Sequence, residues 1–307
     1  MRQVKCRNDR STLSARVSNL RNAMGDPGSL LRRMASELPT AVLFPGQGSH
    51  ADGMEEPWGG SRAFEEGLRL LDYDPFSRLD EGTRFQQPAL FLCSVAAWEA
   101  RDGDPPAAGA GHSLGEYAAL VAAGALRFED GLRLVDVRAD AMAKASTATP
   151  SGMVAMLRAD AADVARLAEE CGAHVANDNA PGQVVVAGTK EALAEVERRA
   201  GEIGARPRAL DVSGAFHTPL MAPAADALAD AIAEVEIAAP TFPVLSNSTV
   251  EPFVDVRSEL VANLLRPVRF RETLIALADR GIETFEEVGP GTVLTGLVKR
   301  TVERAAA

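Results

Sequence analysis

The chain has 307 residues, 46% of them hydrophobic, and a formal net charge of −11. It can bury one large domain or one domain carrying an insertion; its acidic balance argues against a nucleic-acid surface, which needs clustered positive charge, and suits a basic partner or small acyl thioesters. Cys6, Cys93 and Cys171 are odd in number and far apart, which argues against a disulfide framework or a CxxC site and for a reducing, cytoplasmic setting, and no apolar run approaches the roughly 20 residues that span a bilayer.

Residues 1–38 hold eight Lys/Arg against three Asp/Glu. Such an arginine-rich, serine-bearing start resembles a transit peptide, but it reads better as a disordered extension or as the product of a start codon placed too early, since Met34-Ala35-Ser36 would open a conventional N-terminus. Ala41–Phe44, ended by Pro45-Gly46, predicts a buried parallel strand near the centre of a sheet. Helices follow over Arg62–Leu71 and Pro88–Ala100, a strand over Ala107–Ala110, a helix over Leu114–Ala123 and another opening at Phe128-Glu129-Asp130. This order is that of a doubly wound α/β domain.

The texture changes at Thr147. Ser146–Gly152 reads as a linker, and after it come strand Met153–Leu157, helix Ala161–Cys171, strands His174–Ala176 and Val184–Ala187, helix Lys190–Ala200 and strand Pro207–Leu210. The order βαββαβ is that of a ferredoxin-like unit. From Asp211 the large-domain pattern resumes: helix Met221–Val235, strand Val244–Leu245, helices Val256–Leu265 and Phe270–Asp279, strand Glu283–Glu287 and a closing helix after Gly289-Pro290-Gly291. The predicted architecture is an α/β large domain, 39–146 and 211–307, with a ferredoxin-like insertion at 147–210.

Gly111-His112-Ser113-Leu114-Gly115-Glu116 places a serine between glycines, after a strand and before a helix, at the spacing of a nucleophile elbow. A serine nucleophile needs a base, and histidine serves near neutral pH. Of His50, His112, His174 and His217, the last is the best base. It lies where the chain re-enters the large domain, in a loop that can return to the sheet edge carrying Ser113.

These residues, with Leu43-Phe44-Pro45-Gly46-Gln47-Gly48-Ser49, Gln87-Pro88-Ala89, Arg138, Pro181-Gly182-Gln183-Val184 and Glu287-Val288-Gly289-Pro290-Gly291, resemble the malonyl-CoA:acyl carrier protein transacylases of fatty-acid and polyketide synthesis. The resemblance spans nearly all of residues 40–304 and implies an α/β-hydrolase-like domain with an inserted ferredoxin-like subdomain. It implies Ser113 as nucleophile, His217 as its base, and the backbone N–H groups of Gln47 and Leu114 as an oxyanion hole. The main-chain carbonyl of Asn263 would orient the histidine, so the side chain there should matter little. Arg138 would pair with the malonyl carboxylate, for which a guanidinium's paired donors are suited, and Leu134 and Met142 place it on a partly apolar helix face. Phe216 would wall the acyl pocket.

The implied reaction is a ping-pong malonyl transfer from malonyl-CoA to the phosphopantetheine thiol of acyl carrier protein, by a monomer needing no metal or redox cofactor. Within the resemblance, service to a polyketide synthase or a malonate decarboxylase stays open. A serine hydrolase would instead need an acid, for which Asp136, Asp178 or Asp211 could serve, and a non-catalytic binding module for carrier protein is the remaining rival. An acidic carrier would need a local basic patch. Arg206 with Arg208, Arg266 with Arg269 and Arg271, and Lys299 with Arg300 are the candidates.

Overall fold

The computed structural model describes residues 38–303 apart from Ser213, so the N-terminal extension lies, Leu38 excepted, outside the described residues. The apolar run near its start forms β1 (Thr40–Phe44), which pairs in parallel with β2 (Ala108–Gly111) on one side and β8 (Thr284–Glu287) on the other. With β7 (Val244–Leu245) they make a four-stranded parallel sheet in the order β7-β2-β1-β8. Both faces of β1 are covered. Val42 and Phe44 join a core with Tyr117, Leu132 and Met142, while Ala41 and Leu43 join a second with Phe270, Leu274 and Leu297. A strand buried on both faces has no polar alternation, which is why it reads as an unbroken apolar run.

The first core is built from α1 (Arg62–Leu71), α2 (Thr83–Glu99), α3 (Gly115–Ala122), α4 (Phe128–Ala148) and α7 (Ala222–Ala233). Along α4, Leu134, Val135, Arg138, Ala139 and Met142 are buried, three and four residues apart as one helix face requires. Pro88 does not open α2, as the sequence suggests, but lies inside it. A proline has no N–H to donate, so it normally marks a first turn. The turn before Pro88 carries buried side-chain bonds: Gln86 Nε2 donates to the Leu79 carbonyl at 2.9 Å and Gln87 Nε2 to Thr83 Oγ1 at 2.7 Å.

The second sheet is antiparallel, in the order β4-β5-β3-β6, from β3 (Ser151–Leu157), β4 (His174–Ala180), β5 (Gln183–Thr189) and β6 (Arg206–Ala209). α5 (Ala161–Glu170) and α6 (Lys190–Arg199) start at Asp160 and Thr189, whose side chains accept the N–H groups of Ala162 and Ala192, the usual N-cap arrangement. They pack on it through Val164, Leu167, Leu193 and Val196. This is the βαββαβ order and sheet of a ferredoxin-like fold. The expected linker is shorter than its composition suggests. Ser146 Oγ donates to the Met142 carbonyl within α4, which runs to Ala148, and Ser151 already pairs with Thr189.

The two sheets meet at the far half of β4. Asp178 N–H donates to the Val268 carbonyl and Val268 N–H to the Ala176 carbonyl, both at 2.9 Å, and the Asp178 carboxylate pairs with Arg271 at 2.6 Å. β4 runs to Ala180, four residues beyond its expected end, paired there with β5 through Asn177↔Val185, Asp178↔Val184 and Ala180↔Gln183, with Val268 bridging Asn177 on its other edge. The chain closes with α8 (Val256–Asn263), α9 (Phe270–Asp279) and α10 (Val293–Val298); Glu287 at the end of β8 accepts the N–H groups of Leu294 and Thr295 at 3.0 and 2.8 Å. Among the described residues no helix is long and apolar enough to cross a membrane.

Candidate active site

Three parallel strands deliver the site at their carboxyl ends, where open α/β sheets bind ligands: Gln47 follows β1, Ser113 follows β2 and Asn247 follows β7. Ser113 is in the left-handed region at φ 52°, a strained conformation for a residue with a side chain. The flanking glycines are needed for space. A Cβ on Gly111 would lie 1.9 Å from the carbonyl carbon of Gly115, and one on Gly115 would lie 2.0 Å from the Phe44 carbonyl oxygen. Asn247 braces the turn, accepting the Ser113 N–H on Oδ1 and donating from Nδ2 to the Gly111 carbonyl, both at 2.6 Å.

His217, also left-handed at φ 60°, brings Nε2 to 2.8 Å from Ser113 Oγ and Nδ1 to 2.8 Å from the Asn263 carbonyl oxygen. A carbonyl only accepts, so Nδ1 carries the proton and the Nε2 lone pair faces the serine hydroxyl. Burial first, and then the positive charge of Arg138, hold the His217 pKa down to about 3, against the pull of the Asn263 carbonyl. Among the described residues no carboxylate takes the carbonyl's place. Asp136 is bonded to Tyr73 and Arg84, Asp178 to Arg271, and Asp211 lies on the cavity wall with His50.

Arg138 is 2% exposed. Its Nη2 donates to Ser113 Oγ at 2.9 Å and Nη1 to Gln87 Oε1, and its Nε has no partner among the described residues. Burial pulls its pKa down, yet a guanidinium keeps its charge. Beside Ser113 and His217 is a cavity of roughly 310 Å³ lined by Gln47, Ser113, Phe216 and His217 from the large-sheet body and by Met153 and Asn179 from the smaller one. The backbone N–H groups of Gln47 and Leu114 donate to no backbone acceptor among the described residues. The described residues hold no group of three His, Cys, Asp or Glu able to bind a metal ion.

The acyl transferase domain family matches residues 42–307. This chain belongs to that family. The malonyl CoA-acyl carrier protein transacylase of Salmonella typhimurium is 40% identical over 290 residues, covering 87% of this chain and 94% of the relative. The solved structure of the transacylase of that name from Coxiella burnetii superposes with a TM-score of 0.83 at 37% identity, over 88% of this chain and 92% of that one. A malonyl-transacylase in complex with its type II polyketide synthase acyl-carrier protein superposes with a TM-score of 0.82 at 37% identity, over 86% and 93% of the two chains.

The site thus brings together residues from the separate stretches around Gln47, Ser113, Arg138, His217 and Asn263, while Asp136, Asp178 and His174 lie apart from the reacting pair. It also contains residues that the sequence left unassigned. Gln47 Oε1 accepts from Thr83 Oγ1 at 2.8 Å, Thr83 Oγ1 accepts from Gln87, and Gln87 accepts from Arg138, a polar chain from the β1 loop to the guanidinium. Reading α2 from Thr83 instead of Pro88 would have put Thr83 and Gln87 on one helix face. His112 Nε2 lies 2.8 Å from Asn179 Oδ1, and its ring stands edge-on to Phe270. The side chain of Asn263, expected to be indifferent, is buried and donates to both oxygens of Glu116 at 3.0 Å. Nothing in the sequence spacing signals that pairing across 147 positions.

Proposed function

We infer that this acyltransferase moves the malonyl group of malonyl-CoA to the phosphopantetheine thiol of acyl carrier protein, supplying fatty-acid synthesis. The observation that carries the reading is the buried Arg138 guanidinium, without a carboxylate at ion-pair distance among the described residues, 2.9 Å from Ser113 Oγ. A buried cation without a counter-ion is costly, and a substrate carboxylate supplies the missing charge through two parallel hydrogen bonds. Held there, the malonyl thioester carbonyl stands over Ser113.

In the first half-reaction Ser113 Oγ attacks the thioester carbonyl while His217 Nε2 takes its proton, and the Gln47 and Leu114 N–H groups receive the oxyanion. The intermediate collapses, the thiolate of CoA leaves and His217 returns the proton to it. In the second, His217 removes the proton of the carrier thiol, the thiolate attacks the malonyl-serine ester, and Ser113 Oγ is released and reprotonated. Phe216 limits the acyl group beside the nucleophile. Every step uses groups of this chain and its two substrates, so we propose no cofactor, and a cytoplasmic monomer.

For the acidic carrier, Arg269 and Arg271 are already paired with Glu272 and Asp178. The exposed Arg206, Arg208, Arg266, Lys299 and Arg300 remain as the docking cations. A polyketide synthase carrier is the second reading, favoured by the likeness to the transacylase solved with one. The test is intact mass after incubation with malonyl-CoA: a malonyl adduct in the wild type and none in Ser113→Ala is expected, and its absence from both would refute the reading.

A further inference from the structure

Glu116, on α3 one turn beyond the nucleophile, is 2% exposed and makes no ion pair among the described residues. Its hydrogen bonds all come from donors: the Asn247 N–H at 2.7 Å and the Asn263 Nδ2 at 3.0 Å to each oxygen. Burial pushes its pKa up, opposed by those donors and by the charge of Arg138; both oxygens face only donors, the pattern of a carboxylate. A buried carboxylate of this kind is a weak source of stability, because an apolar replacement of similar volume is often neutral or better.

Its two partners are the residues that hold the reacting pair. Asn247 accepts the N–H of the strained Ser113 at 2.6 Å. Asn263 offers its carbonyl to His217 Nδ1 at 2.8 Å. That carbonyl is free to do so because Asn263 is the last residue of α8, where the final carbonyls have no intrahelical donor. The same helix end carries partial negative charge that favours the imidazolium formed during proton transfer. Fixing the Asn263 side chain fixes where that carbonyl points. Thus one carboxylate ties the brace of the serine turn to the orienter of the base, although Ser113 and His217 lie on separate loops and both have positive φ.

We propose that Glu116 is a positioning residue for acyl transfer, setting the Ser113–His217 geometry through Asn247 and Asn263 without touching the substrate. The proposal rests on the transfer reading above. Glu116→Gln keeps the shape and the acceptor for Asn247, but turns an amide toward the Asn263 amide, so donor meets donor or Asn263 must turn. Because displacements of about 1 Å in a reacting pair cost on the order of 100-fold, the rate of Ser113 malonylation at saturating malonyl-CoA should fall by about 10–100-fold. The half-saturating concentration should stay within about threefold, since Glu116 makes no hydrogen bond with Arg138 and lines no part of the cavity. Melting temperature should change by only a few degrees.

Glu116→Gln/Asn263→Asp reverses the donor and acceptor, and should recover about tenfold or more of the lost rate, which a merely structural carboxylate would not permit. If Glu116→Gln does not fold, Asn263→Ala carries the test. It cuts the link but keeps the main-chain carbonyl, and should show the same loss in rate at unchanged half-saturation. Rates within twofold of wild type in the single variants, or no recovery in the reversed pair, overturn the proposal while a wild-type adduct leaves the transfer reading standing. Absence of a wild-type adduct that depends on Ser113 removes both.

Discussion

Arg138 is on the buried face of α4 between Leu134 and Met142, where a solvated arginine would not be placed. With Arg138→Ala a malonyl carboxylate is desolvated without its charge-assisted partner, at about 2–5 kcal/mol, whereas an acetyl group loses nothing. The ratio of kcat/KM for malonyl-CoA to that for acetyl-CoA should therefore fall by more than tenfold; a ratio within twofold of wild type would remove Arg138 from the site. His217 supplies a pH prediction. Its pKa is depressed to about 3, so the neutral base persists as pH falls through the ordinary histidine range. An unperturbed histidine of pKa about 6.5 would lose roughly tenfold in neutral form between pH 7.5 and 5.5. The kcat/KM for acylation, which reports the free enzyme, should lose less than about twofold to this group over that interval. Phe216 is buried on the cavity wall. Replacing it with serine should raise the methylmalonyl to malonyl transfer ratio by at most the 1–3 kcal/mol that one methyl group is worth.

At the scale of an element, the turn between β2 and α3 is held by close backbone approach more than by side chains. Gly115→Ala would drive a Cβ to 2.0 Å from the Phe44 carbonyl oxygen, and relieving it must move β1 from α3. Backbone cannot rotate away as a flexible side chain can. A loss of about 3 kcal/mol or more, at the upper end of overpacking costs, should accompany loss of Ser113 malonylation. Gly201→Ala, where an added Cβ meets nothing within 4 Å, is the control and should change stability by under about 0.5 kcal/mol. Thermal melts and adduct mass on the two variants decide the point. The elbow was legible in the sequence because glycines are needed at fixed offsets. The start of α2 was not, since a proline at the sixth position of a helix reads locally as a first turn, and what overrides it is the packing of the helix in the core on both sides of Pro88, from Phe85 to Ala96.

For the whole molecule, the cavity has walls from both sheets, so catalysis depends on how the two bodies are joined. The join includes a shared apolar core through Met153, Ala155 and Val185, the Val268 backbone pairing and the Asp178–Arg271 ion pair, 12% and 31% exposed at the Asp178 and Arg271 side chains. Arg271→Ala should cost about 1 kcal/mol, the upper end for a partly exposed pair, or a few degrees of melting temperature. It should also raise the half-saturating concentration of malonyl-CoA, because Asn179 and Met153 are on the smaller body. A variant that melts earlier with unchanged half-saturation would confine the pair to stability.

The sequence by itself determined the two-sheet architecture, since its periodicities and turn residues act over a few positions. It also pointed to the nucleophile, because a strained elbow restricts which residues can flank it. His217 stood out among four histidines by its place after the insertion, whereas the arginine and the asparagine carbonyl were reachable only as matches to a family pattern, and only the folded chain brings Ser113, Arg138, His217 and Asn263 within hydrogen-bond reach. Tertiary structure alone decided what Gln87, Asn247, Glu116 and the Asn263 side chain do. These are buried polar groups whose partners lie tens to more than a hundred positions away. Local sequence carries no record of such pairings, because what selects them is the cost of leaving a polar atom unpaired in an interior that exists only after the chain has closed.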